Sequence, residues 1–599
     1  MRDVLSRRDV LALMPTGGGK SLCFQLPALL QPGVTLVVSP LIALMQDQVR
    51  QLQNNGIPAA FINSSLDAAD IQRRTQALLR GEYKLLYLAP ERLLLPEFLD
   101  GPLNHLYSGA GINAFVIDEA HCVSEWGHDF RPEYRQLARL RRRHPEVPLL
   151  SFTATATARV RSDIIAQLEL RDPAVHVASF NRPNLFYRVR PKDKSSYREL
   201  LAQAKGGGAG IVYCLSRRRV DELASKLHAA GIRAAPYHAG LDSTTRRDTQ
   251  DAFIRDDLQV IVATIAFGMG IDKPDVRWVV HYDLPRTLEG YYQESGRAGR
   301  DGDPANCTLY FGGADIRTAE FLIQQKVDGS GAPLENEQRI ARQQLRQVLQ
   351  FVDSTECRRA VQLRYFGESF SGPCGACDNC CEPRTVEEWS VEARQFLSCI
   401  ARLAQRRQRF GAAYIIDILR GARTERVLSA GHDELSVYGI GKGRAVEEWR
   451  NLARALLHQG LISEAQDGYS VLSLNALSWE VLRGERPVSI ARAVKPARRS
   501  RDGSRASTTD DSRASTTDDS LFERLRALRK QLAVESGLPP YVIFHDSTLR
   551  EMAEHMPLDL DQFAALPGVG HAKLARYGER FIAAVREHRA RMEGGSAGS

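Results

Sequence analysis

The sequence predicts an α/β protein built on two parallel, doubly wound sheets, with smaller modules behind them. Three observations carry this. Short β-branched runs alternate with helical patterns twice over, first between Val10 and about Pro183 and again from Gly210. A glycine turn ending in Lys20-Ser21 follows the first run and precedes an apolar stretch, Leu22–Leu30, that continues as a helix. Five of the ten cysteines crowd into 357–381, which marks a separate module. Strands alternating with helical segments are how a sheet covered on both faces by crossover helices reads.

In the first half the runs are VLALM, VTLVVSP, KLLYLAP, AFVIDEAH and PLLSFTAT; in the second, IVYC, IRAAPYH, LQVIVAT, VRWVVHYDLP and ANCTLYF. Asn181–Asn184 reads as a hinge between the halves. Thr16, Gly17, Gly18 and Gly19 would present a nest of backbone N–H groups to an anion. Lys20 adds a point charge for β/γ-phosphates, and the Ser21 hydroxyl is a ligand for Mg²⁺. The strict P-loop pattern has Gly where this chain has Met14, so the match is to the variant PTGGGKS form. Asp118-Glu119-Ala120-His121 follows the buried run Ala114–Ile117. A carboxylate at a strand end is where Mg²⁺ must be gripped, which assigns Asp118, and Glu119 is then placed to orient or deprotonate an attacking water. In the second half, Gln293-Glu294-Ser295-Gly296-Arg297-Ala298-Gly299-Arg300 carries two arginines expected on one helical face. Arg300 is the candidate finger on the γ-phosphate, Arg297 stands beside it, and Gln293 is counted with the nucleotide-binding residues.

Bulk properties narrow the class. A chain of 599 residues exceeds one core. No run approaches the ~18 apolar residues of a membrane span, and Val10–Met14 is too short for a signal peptide. The reading is a cytoplasmic protein with no membrane partner. The 80 basic against 72 acidic residues permit a polyanionic partner. Scattered thiols argue for a reducing compartment, and the cluster argues for metal.

MPTGGGKS, SPLIALMQDQV, YLAPERL, DEAH, SFTATAT, YHAGL, VATIAFGMGIDKPDVRWVVHYDLP and QESGRAGRDG occur in one order. In that order they resemble superfamily 2 helicases, and closely the RecQ family of DNA helicases, from about residue 9 to residue 590. The resemblance implies two RecA-like domains (1–183 and 184–325), a zinc-binding module (326–385), a winged-helix domain (386–490), a linker (491–520), an HRDC-like helical bundle (521–592) and a flexible tail (593–599). It implies ATP-driven 3′→5′ unwinding of duplex or forked DNA in recombination, repair and fork maintenance. Single-stranded and forked DNA, a single-strand-binding protein and repair proteins are the implied partners, and the bacterial nucleoid the implied place. Ser124–Pro132 looks like the family's aromatic-rich loop. Trp126 and Phe130 are stacking candidates for bases, and His128 and Arg131 contact the backbone or relay to the ATPase. Glu125 stands where the family often has Gln. The family usually carries an aromatic residue and a Gln that read adenine ahead of the first strand. Met1–Asp9 holds neither, so the expectation is a truncated start or weakened base recognition.

Cys357-x16-Cys374-x2-Cys377-x2-Cys380 offers four soft ligands, a pattern for tetrahedral Zn²⁺. Cys381 is a fifth thiol, and the resemblance selects Cys380. Val446, Trp449, Leu452 and Leu456 mark one apolar helical face in the winged-helix segment. Gln466-Asp467-Gly468 reads as a hairpin tip beside Tyr469, and Lys442 and Arg444 are candidates for phosphate contacts. The octapeptide SRASTTDD occurs twice in tandem at Ser504–Asp511 and Ser512–Asp519 in a segment that reads as disordered. Leu521, Leu525, Leu528 and Leu532 open the last module on one face, with Lys573, Arg576 and Tyr541 as DNA candidates. An RNA-directed DEAH helicase and a catalytically silent DNA-binding scaffold are the alternatives. The aromatic loop and trailing modules disfavour the first; intact Lys20, Asp118, Glu119 and Arg300 disfavour the second.

Overall fold

Seven parallel strands form the first sheet of the computed structural model: β1 Val10–Leu13, β2 Val34–Val38, β3 Ala59–Ile62, β4 Leu85–Leu88, β5 Ile112–Ile117, β6 Leu149–Thr153 and β7 Ala174–Val177. Their order is β3-β4-β2-β5-β6-β1-β7. The structure describes residues 1–127, 129–264, 273–327, 332, 334–382, 386–464, 471–491 and 519–595. The apolar runs seen in the sequence become strands buried on both faces: β1, β2, β4, β5 and β6 have no exposed residue. Continuous apolar runs are what a parallel sheet covered by helices requires. The helix Leu22–Leu30 leaves Leu22, Leu26 and Leu30 exposed in one stripe.

The second sheet has six parallel strands: β8 Leu185–Pro191, β9 Ala209–Tyr213, β10 Ala234–Tyr237, β11 Val260–Ala263, β12 Val276–His281 and β13 Ala305–Phe311. Their order is β10-β11-β9-β12-β13-β8. Side-chain N-caps start its helices at Ser216, Asp242 and Thr287, each accepting from an N–H in the first turn. Edge strand β8 gains a further parallel bridge from Tyr187 to Cys377.

Two compact units are formed by the described residues. One holds 1–344, 359–377 and 519–595; the other holds 345–358 and 378–491. In the second unit the helices Ser390–Gln405, Ala412–Arg420 and Val446–His458 pack around Trp449, Leu452 and Leu456, all fully buried. Strands Ser463–Glu464 and Leu472–Ser473 pair antiparallel as the expected hairpin requires. The hairpin tip with Gln466, Asp467, Gly468 and Tyr469 lies outside the described residues. So do the tandem octapeptides (apart from Asp519), His128 and the stretch 265–272. In 519–595, five helices enclose Leu521, Leu525 and Leu532, with Leu528 partly buried beside them. No helix among the described residues is long and apolar enough to cross a membrane.

Candidate active site and metal centre

The glycine loop leaves β1 with Gly17 at φ +81° and Gly19 at φ +77°, left-handed positions that glycine takes without steric cost. The Gly18 N–H closes the turn on the Pro15 carbonyl at 2.9 Å. Lys20 Nζ donates to the Met14 carbonyl at 3.2 Å. Desolvation pulls the Lys20 ammonium below its usual value, with Glu119 and Asp118 opposing that shift.

Asp118 follows β5 directly. Burial, reinforced by the adjacent Glu119, pushes its carboxyl up to about 7. A buried oxygen donor whose negative charge is penalised by desolvation and by Glu119 suits a hard dication such as Mg²⁺. Glu119 sits in a left-handed conformation at φ 48°, and its N–H donates to Asp118 Oδ1 at 3.0 Å. His121 Nδ1 lies 3.2 Å from Glu119 Oε2 and 2.9 Å from Thr153 Oγ1. Burial would lower the His121 pKa, but Cys122 and Glu119 reverse this and raise it to about 10. His121 therefore links the carboxylate pair to the end of β6 through Thr153.

Arg300 reaches the glycine loop from the second domain. A Cβ added to Gly17 would meet Arg300 Cγ at 3.5 Å, so its stem lies across the loop. Arg297 is buried and hydrogen-bonded to Tyr213. The expectation that both arginines share a helical face is corrected here. The helix Leu288–Ser295 stops before them, because Gly296 and Gly299 end it and Gly299 adopts φ +54°. The turn, rather than a helix face, aims Arg300. Gln293 Nε2 donates to Thr155 Oγ1 at 3.0 Å, joining the second domain to the loop after β6.

Arg182, in the hinge, went unnoticed in the sequence. Its guanidinium donates to the carbonyls of Thr16 (3.4 Å), Gly296 (3.1 Å), Ala298 (3.0 Å) and Gly299 (2.8 Å). Asn184 adds bonds to the Gly299 and Asp303 carbonyls, both at 2.8 Å. One segment thus ties the glycine loop to the arginine turn.

The aromatic loop packs tightly after the carboxylates. Trp126 is half-buried against the first domain's core, with the Arg159 guanidinium 3.2 Å from its ring centroid and Arg339 at 5.5 Å. Arg131 bonds Asp129 at 3.1 Å and the Pro40 carbonyl at 3.0 Å. The loop is therefore wired to the SPLI segment. Phe130 lies under Arg135 at 5.1 Å.

The Sγ atoms of Cys357, Cys374, Cys377 and Cys380 all lie within 4.8 Å of one another. Four thiolates so gathered match a closed tetrahedral zinc site, with Zn–S bonds of about 2.3 Å. The Ala376 N–H points at Cys374 Sγ at 3.3 Å. Cys381 is exposed and stands outside this group. Arg358, fully buried beside Cys357, braces the neighbouring backbone through Asp378 (2.9 Å) and the Val352 carbonyl (2.9 Å). Two of the other candidates are already engaged. Arg444 is paired with Glu392 at 2.8 Å, and Lys573 lies over the Phe544 ring at 5.5 Å.

Known families match the chain in series. These are DEAD/DEAH box helicase at 1–164, helicase conserved C-terminal domain at 192–302, RecQ zinc-binding at 313–381, RQC domain at 383–499 and HRDC domain at 518–585. The chain is 42% identical over 590 residues to the ATP-dependent DNA helicase RecQ of Haemophilus influenzae, across 98% of this chain and 92% of that protein. It is 39% identical over 589 residues to the ATP-dependent DNA helicase RecQ of Bacillus subtilis, across 98% and 94%. With the ATP-dependent helicase SGS1 of Saccharomyces cerevisiae it shares 40% over 481 residues, 78% of this chain and 33% of that one. The two parallel-sheet domains are RecA-like, and the modules behind them are zinc-binding, RQC winged-helix and HRDC. With that series of domains and that identity over nearly its whole length, the chain belongs to the RecQ family of ATP-dependent DNA helicases.

Proposed function

We propose that hydrolysis takes place in the cleft between the two RecA-like domains, with both domains supplying chemistry. Lys20 and the N–H groups of Gly17, Gly18 and Gly19 hold the phosphates. Ser21 and Asp118 would hold Mg²⁺, which neutralises charge on the β- and γ-oxygens when bound. Glu119 orients the attacking water, and His121 holds Glu119. Arg300 stabilises charge developing on the transferred phosphoryl, and Arg297 supports it against Tyr213. Gln293 acts through Thr155 as a positioning residue between the domains.

On the DNA side, Trp126, Phe130, His128 and Arg131 form the sensor that reports a bound strand to Glu119. Translocation runs 3′→5′ on single-stranded DNA and opens forked duplexes. The protein works in the cytoplasm on the nucleoid, beside single-strand-binding and repair proteins. The zinc-binding module braces the second domain.

The observation that carries this reading is the stem of Arg300 lying across Gly17, 3.5 Å from a Cβ built there. Arg300→Ala should cut DNA-stimulated ATP hydrolysis by ~10³-fold or more, in line with arginine fingers, while ATP and DNA affinities stay within a few-fold. Normal turnover in that variant would remove Arg300 from the chemistry.

A further inference from the structure

The C-terminal bundle rests on the second sheet domain through charge. Lys530 Nζ lies 2.9 Å from Asp257 Oδ1 and donates to the Asp256 carbonyl at 3.2 Å. Arg529 approaches Asp256 at 4.0 Å, and Arg550 pairs with Asp303. A cavity of about 360 Å³, lined by Asp256, Arg233 and Arg526 among others, opens at this junction. Lys530, Asp257 and Arg550 are partly exposed, so their pairs are open to screening, whereas Arg529 is buried and also paired with Asp546 at 2.7 Å.

Two features give this contact meaning. First, the bundle contributes Lys530 and Arg550 to these pairs, the residue types that neutralise phosphates, and here they face the carboxylates of Asp257 and Asp303 instead. Second, Asp303 stands three residues beyond Arg300. It also faces Arg277 at 3.3 Å, and Arg277 grips Asp301 at 2.5 Å. The bundle thus leans on the loop that carries the finger.

We propose that Asp256, Asp257 and Asp303 form a docking surface for residues 519–595, and that this surface competes with DNA phosphates for Lys530 and Arg550. In the docked state the bundle's basic face is closed to nucleic acid. Single-stranded DNA displaces it, freeing the bundle to hold the strand and the Arg300 loop to move. The inference rests on the DNA-binding role of the chain, which the experiment measures separately.

Full-length protein would be treated with a zero-length carbodiimide cross-linker, with and without a single-stranded oligothymidylate, while DNA occupancy is followed by fluorescence anisotropy. A Lys530–Asp257 cross-linked peptide is expected without DNA and should fall away as the oligonucleotide saturates. No such peptide in DNA-free protein would overturn the docking. A peptide that persists at full DNA occupancy would overturn the competition and leave the helicase reading untouched. As a second measurement, Asp257→Asn should tighten DNA binding about two- to fivefold, the worth of an exposed ion pair. That gain should vanish in a Lys530→Ala background. Unchanged affinity, or an equal gain in both backgrounds, would also refute the competition.

Discussion

The strand order β3-β4-β2-β5-β6-β1 of the first sheet is matched position for position by β10-β11-β9-β12-β13-β8 in the second. β8 therefore stands where β1 does, and β12 where β5 does. Each half carries a lysine in the loop after the first of these strands and an aspartate after the second: Lys20 and Asp118, Lys192 and Asp283. In the second half they close on each other. Lys192 Nζ is 2.5 Å from Asp283 and 2.7 Å from Asp315, Arg219 joins Asp283 at 2.9 Å, and the Leu215 N–H donates to it at 2.9 Å. The turn itself is satisfied by Asp193, which accepts from the Ser195 N–H at 2.7 Å. In the first half three glycines form the loop, and Lys20 bonds locally, to the Met14 carbonyl at 3.2 Å. One fold plan thus yields a phosphate cradle where glycine keeps the loop open, and a structural ion-pair cluster where side chains fill it.

The sharpest test pairs the two lysines. Lys20→Ala should lower DNA-stimulated hydrolysis by ~10²–10³-fold, the scale seen when one preorganised charge stabiliser is removed, with the unfolding midpoint little changed. Lys192→Ala should do the reverse. It removes the ammonium that two nearly buried carboxylates share, leaving Asp283 with Arg219 and the Leu215 N–H and Asp315 with the Gly312 N–H. The cost is about 1–3 kcal/mol, read as a lower urea midpoint, while turnover per folded molecule holds. Equal losses of turnover from both would show that the second loop is not an inert counterpart.

A smaller effect concerns the strand edges. Beside β1 lies β7, whereas β8 is covered by the zinc loop through the Tyr187–Cys377 bridge. Elemental analysis should find one zinc per chain. Cys377→Ser should release it and expose the β8 edge, giving lower stability and a tendency to aggregate. Zinc-free protein that is as stable as the wild type would show that the bridge, not the metal, protects this edge.

The smallest effect tests how DNA reaches the first half alone. Trp126→Ala should weaken DNA stimulation of ATPase several-fold and weaken DNA affinity less, if the winged-helix domain and the bundle also hold the strand. A fall in affinity with stimulation intact would make the loop a plain binding surface.

Local chemistry explains what was legible beforehand. The glycine loop and Asp118-Glu119 each put their signal within a few residues, the four cysteines lie within one stretch from 357 to 380, and the parallel sheets show as uninterrupted apolar runs. Asn181–Asn184 was legible as a hinge, but the bonds made by Arg182, Asn184 and Thr155 were not, because their partners lie more than 100 positions away in the chain. The filling of the second loop was hidden for the same reason: Lys192 meets Asp283 and Asp315, 91 and 123 positions further on. The arginine pair was set on a helix by counting its spacing, and Gly296 and Gly299 overruled that periodicity.

Arg182 gives the cleft a mechanical character. A planar guanidinium is a stiff fork, and this one holds the Thr16 carbonyl of the glycine loop on one side and three carbonyls of the arginine turn on the other. Its tie to the glycine loop is the longest of the set, at 3.4 Å, while the three to the arginine turn are 2.8–3.1 Å. The hinge segment is thus bolted to the arginine turn and only latched to the glycine loop, so the latch is the first bond to open when the cleft widens.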